Sequence, residues 1–291
     1  MNLIDLWERE YVPQRLADSS ASCRNQYRSN MRRFDRWLCR PAVLTDLTDD
    51  TLMAFARSIK AGGRSPATAN KIRSQLVAVW RFANSRGYVR TTPTLPKLAE
   101  YKRAPLAWLP DELTRLFAAC RATPGMIGPV TASAWWYALH ALLWDTGARI
   151  GAVLQMTWQQ VDMHGGSVIL LAEHQKQSAD QVFRLHPGTA AALAAIYRAS
   201  QPLVFHWPKS RASLWNHYAR LLRRAGLPTD RKSKFHRMRK SVASHYEANG
   251  GNAQLLLGHA NRTTTLAYLD NRVCGPKHAA DLLFRPDAPI P

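Results

Sequence analysis

Three segments far apart in the chain carry side chains whose types and spacing could act on a phosphate. In Asp145–Ile150 (DTGARI) a glycine-bearing turn opens a helix that holds Arg149. In Phe235–Lys240 (FHRMRK), His236 and Arg239 stand three apart, a spacing that puts both on one helix face, able to meet one phosphate. In Leu257–Tyr268 (LGHANRTTTLAY), Tyr268 follows His259 by nine residues, beyond a threonine-rich turn and a short helix. Each segment alone has a plainer reading: a surface arginine at a helix start, a basic helix face, or one of nine tyrosines filling a core or a surface. Their order along the chain and the offset of Tyr268 from Leu257-Gly258-His259 set them apart.

In that order and at that spacing the segments resemble the tyrosine recombinase (phage integrase) family: an Arg, a Lys in a β-hairpin, His-x-x-Arg, Leu-Gly-His, and a Tyr nine residues on. The resemblance covers the whole C-terminal part. More loosely it covers the helical N-terminal part, which looks like the family's core-binding (SAM-like) domain. It implies that Arg149 and Arg239 clamp the non-bridging oxygens of a scissile DNA phosphate, that His236 partners Arg239, and that His259 is a further hydrogen-bond donor or acid–base helper. Tyr268 would be the nucleophile, and Lys176, the one lysine in the Glu173–Gln181 connection, stands where the family keeps its hairpin lysine. Two positions depart from the pattern. Lys240 follows Arg239 where a second histidine is common, and Ala152 stands three after Arg149 where an acidic residue is often found. Both read as tolerated, with Lys240 as an added phosphate contact.

The chemistry is coherent on its own terms. Transesterification at a phosphodiester builds negative charge on the equatorial oxygens, and paired guanidinium groups meet it with fixed planar donors. A phenol with an ordinary pKa of about 10 needs a base or a strongly cationic setting before it attacks. The departing 5′-oxygen needs a proton, which an ammonium on a mobile hairpin can deliver. No Asp/Glu cluster suggests a metal site and no glycine-rich phosphate loop suggests ATP, so the expected reaction uses no cofactor.

These residues must be positioned by mainly helical elements. Leu109-Pro110-Asp111-Glu112 starts a helix with an acidic first turn, and a helical pattern runs on to Asp145. Ser167–Leu171 and Val182–His186 read as two short strands flanking a polar connection, and from Pro187 the pattern is helical again. Arg90–Leu106, rich in Pro and Thr, reads as a linker; the expected division is 1–92, a linker at 93–106, and 107–291. Before it, Tyr27, Met31, Phe34 and Leu38 mark one buried helical face, and Arg24, Arg28, Arg32 and Arg36 follow one another at steps of four along another side. Four like charges in a row do nothing for folding, which favours a phosphate-contacting stripe over a solvated face. A later helix starts at Ser65-Pro66 and ends at Gly87, with Lys71, Arg73 and Arg81 off its apolar face; Lys71 joins the expected DNA contacts. The expected architecture is mainly α with a small antiparallel sheet, arranged as a two-domain clamp.

The chain has 291 residues and a formal charge of +20, which points to a polyanionic partner, double-stranded DNA above all. The N-terminus mixes charge with apolar residues and no run approaches a membrane span, so no membrane partner is expected. Four dispersed cysteines give neither a zinc knuckle nor a disulfide framework, which fits a reducing, cytoplasmic and nucleoid-associated setting. The resemblance further implies a homo-tetramer on two DNA sites, monomeric off DNA, that integrates or excises a mobile element or phage through 3′-phosphotyrosyl intermediates. Two other readings share many features: a DNA-binding regulator with a spent active site, and a type IB topoisomerase. The apolar segment Ala279–Phe284 either docks into a neighbouring subunit or covers its own domain.

Overall fold

The computed structural model describes residues 1–101, 104–175 and 179–275 and divides the chain into two units, Met1–Lys102 and Arg103–Pro291. Lys176 and the Ala279–Phe284 segment lie outside the described residues.

In the first unit, α1 (Leu3–Leu6) continues through a π-helical turn at Trp7–Tyr11 into α2 (Val12–Arg15). Then follow α3 (Ala21–Leu38), α4 (Asp49–Ala61) and α5 (Pro66–Ser85). Side-chain caps fix the starts: Ser20, Thr48 and Ser65 each accept from the backbone N–H three residues on. Leu6, Trp7, Met31, Phe34, Phe55, Leu76 and Trp80 form the core, with Tyr27 and Leu38 at its edge. The arginine series on α3 divides into two halves with different surroundings. Arg24 donates to the carbonyls of Leu16, Ala17 and Ser19, closing the turn before its own helix. Arg28 pairs with Glu8 at 3.0 Å and lies over the Trp7 ring, while Arg32 and Arg36 face solvent.

Much of the Pro/Thr-rich stretch is tied to this unit. Trp80 Nε1 donates to Thr91 O, Asp49 accepts from Thr94, and Asn70 exchanges hydrogen bonds with Leu98 at 2.8 Å. Arg73 departs from expectation: it is buried and donates to the Leu95 carbonyl.

The second unit is built around α7 (Ala132–Thr146), which packs against three other helices and buries most of its side chains, Trp135, Trp136 and Leu139 among them. The helical run expected from Leu109 to Asp145 is interrupted. After α6 (Pro110–Arg121), Pro124 and Gly125 end the helix, and a small hairpin of β1 (Met126–Ile127) and β2 (Val130–Thr131) turns at Gly128 with φ 57°. After the one-turn helix α8 (Ile150–Val153) comes an antiparallel sheet in the order β3 (Val161–Asp162), β4 (Ser167–Leu170), β5 (Gln181–Arg184). Its register pairs Val168 with both Val161 and Phe183. The two-residue β3 is too short to show a period of two, so only the other two strands were expected. Next come α9 (Pro187–Ile196), α10 (Arg211–Arg224) and α11 (Phe235–Ala248). Three short helices close the described chain: α12 (Ala253–Leu257), α13 (Arg262–Leu266) and α14 (Asn271–Cys274).

One buried node secures the start of this unit to its end. Asp270, 2% exposed, accepts from Ala107 N at 2.7 Å and pairs with Arg272 at 2.6 Å. Arg237 and Arg272 both donate to Ala107 O at 3.1 Å, and Ser241 Oγ accepts from Trp108 N at 2.6 Å. The Arg237 guanidinium lies 3.6 Å from the Trp108 ring centroid and as far from Glu112. Burial alone would raise the Asp270 carboxyl, but hydrogen bonds from Arg272 and the backbone hold it below the ordinary carboxylate range.

Asp270→Ala should therefore cost about 2–3 kcal/mol in denaturant unfolding, since it leaves the buried Ala107 N–H without an acceptor. The wild-type carboxylate contribution is fully present above the ordinary carboxylate pKa. It is lost as pH falls through the lower folded value, so the gap between the two proteins should narrow in strong acid.

Candidate active site

Arg149, expected within a helix, instead caps one: it is the extended N-cap residue of α8. It follows Gly147, which ends α7 in the left-handed region at φ 59°. A Cβ on Gly147 would come within 3.0 Å of Leu257 and 3.2 Å of Val242, so the close approach of α7 to α11 and α12 requires glycine there as well. Arg239, on the second turn of α11, is 4% exposed. It donates to Gly147 O at 2.5 Å and to Leu257 O at 3.0 Å, and lies 3.5 Å from His259 Nε2. Burial first, then the neighbouring Arg149 charge, lowers its pKa to about 10, which leaves it a cation at neutral pH.

Tyr268 follows α13 in a turn closed by Tyr268 N to Thr265 O at 2.7 Å. Ala253, Leu257 and Leu269 form a small core against which it packs, and Ser244 Oγ binds both Tyr268 O and Asp270 N. Its ring lies between two imidazoles, with the centroids of His236 and His259 each 5.0 Å away, and the Arg239 guanidinium is 5.8 Å from its centroid. Thus α11, the stretch from α12 to His259 and the turn after α13 meet at one tyrosine.

The electrostatics are those of an anion site. His236 is lowered to about 4 by desolvation and then by Lys240, Arg239 and Arg149. His259 is lowered to about 4 by burial and then by Arg239 and Arg149. Both are neutral at pH 7, and Thr265 Oγ1 holds His259 Nδ1 at 3.0 Å, directing Nε2 towards Arg239. Lys240, half-buried, is lowered by burial and by Lys232 and Arg237. Among the described residues, the buried Arg149 Nη1 and Arg239 Nε have no hydrogen-bond partner. Both arginines line a cavity of about 460 Å³, along with His236, Lys234, Arg231 and Trp215. A second cavity of about 550 Å³ reaches from Arg149 and His259 to Ala179 and Gln181 at the base of the β4–β5 hairpin. That hairpin carries Lys176, itself outside the described residues. Among the described residues no group of three or more His, Cys, Asp or Glu could hold a metal ion. Motif spacing does not reveal Thr265, Asp270, Trp215 or Lys234. Only Thr265 carried a signal, as part of the threonine-rich turn.

Residues 108–273 match the family model described as the phage integrase family. The chain belongs to that family. Among its relatives is the tyrosine recombinase XerD of Mycobacterium tuberculosis, 27% identical over 281 residues that span 86% of this chain and 87% of the relative. The integrase of Escherichia phage HK022 is 27% identical over 286 residues, spanning 92% of this chain and 73% of that one. Solved structures share the fold. The Tn1549 transposon integrase bound to transposon right-end DNA superposes with a TM-score of 0.77 at 16% identity, covering 92% of this chain and 95% of that one. A lambda integrase dimer bound to a core site gives 0.72 at 22% identity, covering 94% and 96%. The resemblance read from the motifs, and the mainly α fold with small antiparallel sheets, are confirmed, and the protein is a tyrosine recombinase. No helix among the described residues is long and apolar enough to cross a membrane.

In the free protein, the imidazole protons of His236 and His259 should titrate by NMR near pH 4 rather than at the ordinary 6.5. The folded state resists protonation at both, so each costs stability as pH falls from 6.5 towards 4. An oligonucleotide phosphate in the site should move both midpoints upward. Ordinary midpoints in the free protein would show that neither burial nor the surrounding cations act on the rings.

Proposed function

We propose that Tyr268 cuts and rejoins DNA at specific sites, with Arg149, Arg239, His236, His259 and Lys176 completing its site. The observation that carries this reading is the enclosure of one half-buried tyrosine by two neutral imidazoles and a desolvated guanidinium, beside a cavity where two arginine N–H groups lack acceptors. Tyr268 Oη attacks phosphorus, forming a 3′-phosphotyrosyl bond as the bond to the 5′-oxygen breaks. A neutral imidazole accepts the phenol proton, and Lys176 supplies a proton to the 5′-oxygen. Arg149 and Arg239 neutralise the equatorial oxygens. A 5′-hydroxyl from the exchanging strand then reverses the step, so the phosphotyrosyl bond conserves the phosphodiester's energy and neither ATP nor metal is consumed.

The N-terminal unit serves as the core-binding domain and the second as the catalytic domain, with double-stranded DNA as the partner. Exposed Arg32, Arg36 and Lys71, together with half-buried Lys240, are the better-placed phosphate contacts, since Arg24 and Arg28 have partners within the fold. Solved lambda integrase includes a tetramer on a Holliday junction, which supports a tetramer on two sites here. The likeness to a phage integrase supports integration or excision of a mobile element as the role, and a DNA substrate supports a cytoplasmic, nucleoid-associated setting.

Tyr268→Phe should bind DNA with nearly parental affinity and form no covalent adduct on a nicked suicide substrate, read by denaturing gel. A persisting adduct, or a parental link mapped to Tyr246, would move the nucleophile elsewhere. Lys176→Ala should slow cleavage of ordinary DNA and recover on a substrate whose 5′-bridging oxygen is sulfur, which leaves without a proton. Equal defects on both substrates would take Lys176 out of the acid role. Relaxation of DNA lacking any target site would point instead to a topoisomerase.

A further inference from the structure

A second cationic cavity lies wholly within the N-terminal unit, away from every motif named above. Its volume is about 360 Å³, and it is lined by Arg73, Ser74 and Arg81 from α5 and by Thr94, Leu95 and Lys97 from the segment that follows. Three of its lining residues are cations and none is acidic.

Folding alone does not explain it. Arg73 is 92% buried, as its 8% exposure implies, and its Nη2 donates to Leu95 O, yet its buried Nε–H has no acceptor. An orphaned, buried guanidinium N–H is destabilising unless a ligand supplies the missing acceptor. The nearest carboxylate, Asp49, is held by the Thr94 backbone N–H and hydroxyl, with its own hydrogen bonds already directed there. Arg81 lies close enough to Arg73 for the two charges to repel, and both Arg81 and Lys97 are exposed. Burial first and then Arg81 depress the Arg73 pKa, and the Asp49 charge offsets them only in part.

We propose that this cavity is a phosphate-binding site that seats one or two backbone phosphodiesters of the bound DNA, with Arg73 as the fixed donor and Arg81 and Lys97 as flanking charges. The proposal deepens the DNA-binding reading and rests on it. It also gives the segment after α5 a role: Leu95 O holds Arg73 in place, and Lys97 rides on the same strand of chain, so this stretch builds part of the DNA surface.

The test uses the full-length protein and measures DNA affinity against salt concentration. Parental affinity falling steeply with salt establishes phosphate binding as such, and a flat parental profile would sink the DNA-binding reading itself. Arg81→Ala/Lys97→Ala, two exposed sites that leave the core alone, should reduce the slope of log K against log salt by about one to two and weaken specific and random DNA alike. Arg73→Lys, which keeps the charge but loses the planar fork, should weaken binding at an unchanged thermal midpoint. An unaltered slope in the double variant would overturn the assignment. So would a loss confined to one sequence, which would mean base recognition. A third arm adds inorganic phosphate at constant ionic strength. If it raises the parental thermal midpoint but not that of the double variant, while the DNA slopes of the two agree, the cavity takes free phosphate and the DNA assignment fails.

Discussion

Everything at the reacting end of this molecule is arranged around the burial of one charge. Arg239 is almost wholly removed from water, and a guanidinium so placed is tolerated only when fixed dipoles take over from solvent. Two carbonyls do so, Gly147 O at the end of α7 and Leu257 O at the end of α12, and each helix stops at a left-handed glycine. The α7 terminus is a favourable place for a cation, since fifteen residues of aligned peptide dipoles end there. Arg239 therefore pins three sequence-distant segments to one another, and it does so with only part of its donor set. Its Nε–H has no acceptor among the described residues and remains free to meet an anion.

The tyrosine is held from the other side. The Tyr268 segment is bracketed by Ser244 on α11 and, two residues later, by Asp270, which reaches across to the first residues of the unit. α11 thus presents Arg239 on one flank and, through Ser241, Ser244 and Arg237, anchors both the entry of the chain and the Tyr268 segment on the other. A nucleophile must sit within a fraction of an ångström of its attack line, and short helices alone hold nothing so firmly. The hydrogen bonds from a fourteen-residue helix supply that rigidity.

How much of this was legible in the sequence depends on how the information is carried. Arg149, His236, Arg239, His259 and Tyr268 could be singled out, and the structure places them in one neighbourhood, because the motifs that carry them lie in residue type and order. The helices α3 and α5 were readable because four-residue apolar steps and serine caps are local signals. Asp270 was not, because its partner Ala107 stands 163 residues earlier and contributes only a backbone N–H. Arg73 was misplaced because helical spacing records which face an arginine lies on, not that a following segment will fold over that face. The α6–α7 interruption was hidden by strands of two residues each, and the arginine series on α3 looked uniform because spacing cannot reveal that Glu8 and three carbonyls take up its first half.

The charge excess of +20 acquires a definite meaning once the carboxylates are traced. Glu8, Asp46, Glu112, Glu247 and Asp270 pair with arginines inside the fold, so the acids that are scarce in composition are further occupied in bracing structure. The cations around Tyr268 are left without such partners, and burial first, then the neighbouring positive charges, depress the pKa values of His236, His259 and Arg239. Such a site destabilises the free protein, because like charges are assembled and partly desolvated before any ligand arrives. A phosphodiester reverses each of these effects at once. In the proposed reaction, as attack builds charge on its oxygens, the same preassembled cations would interact more strongly with the transition state than with the ground state, and that difference would lower the barrier.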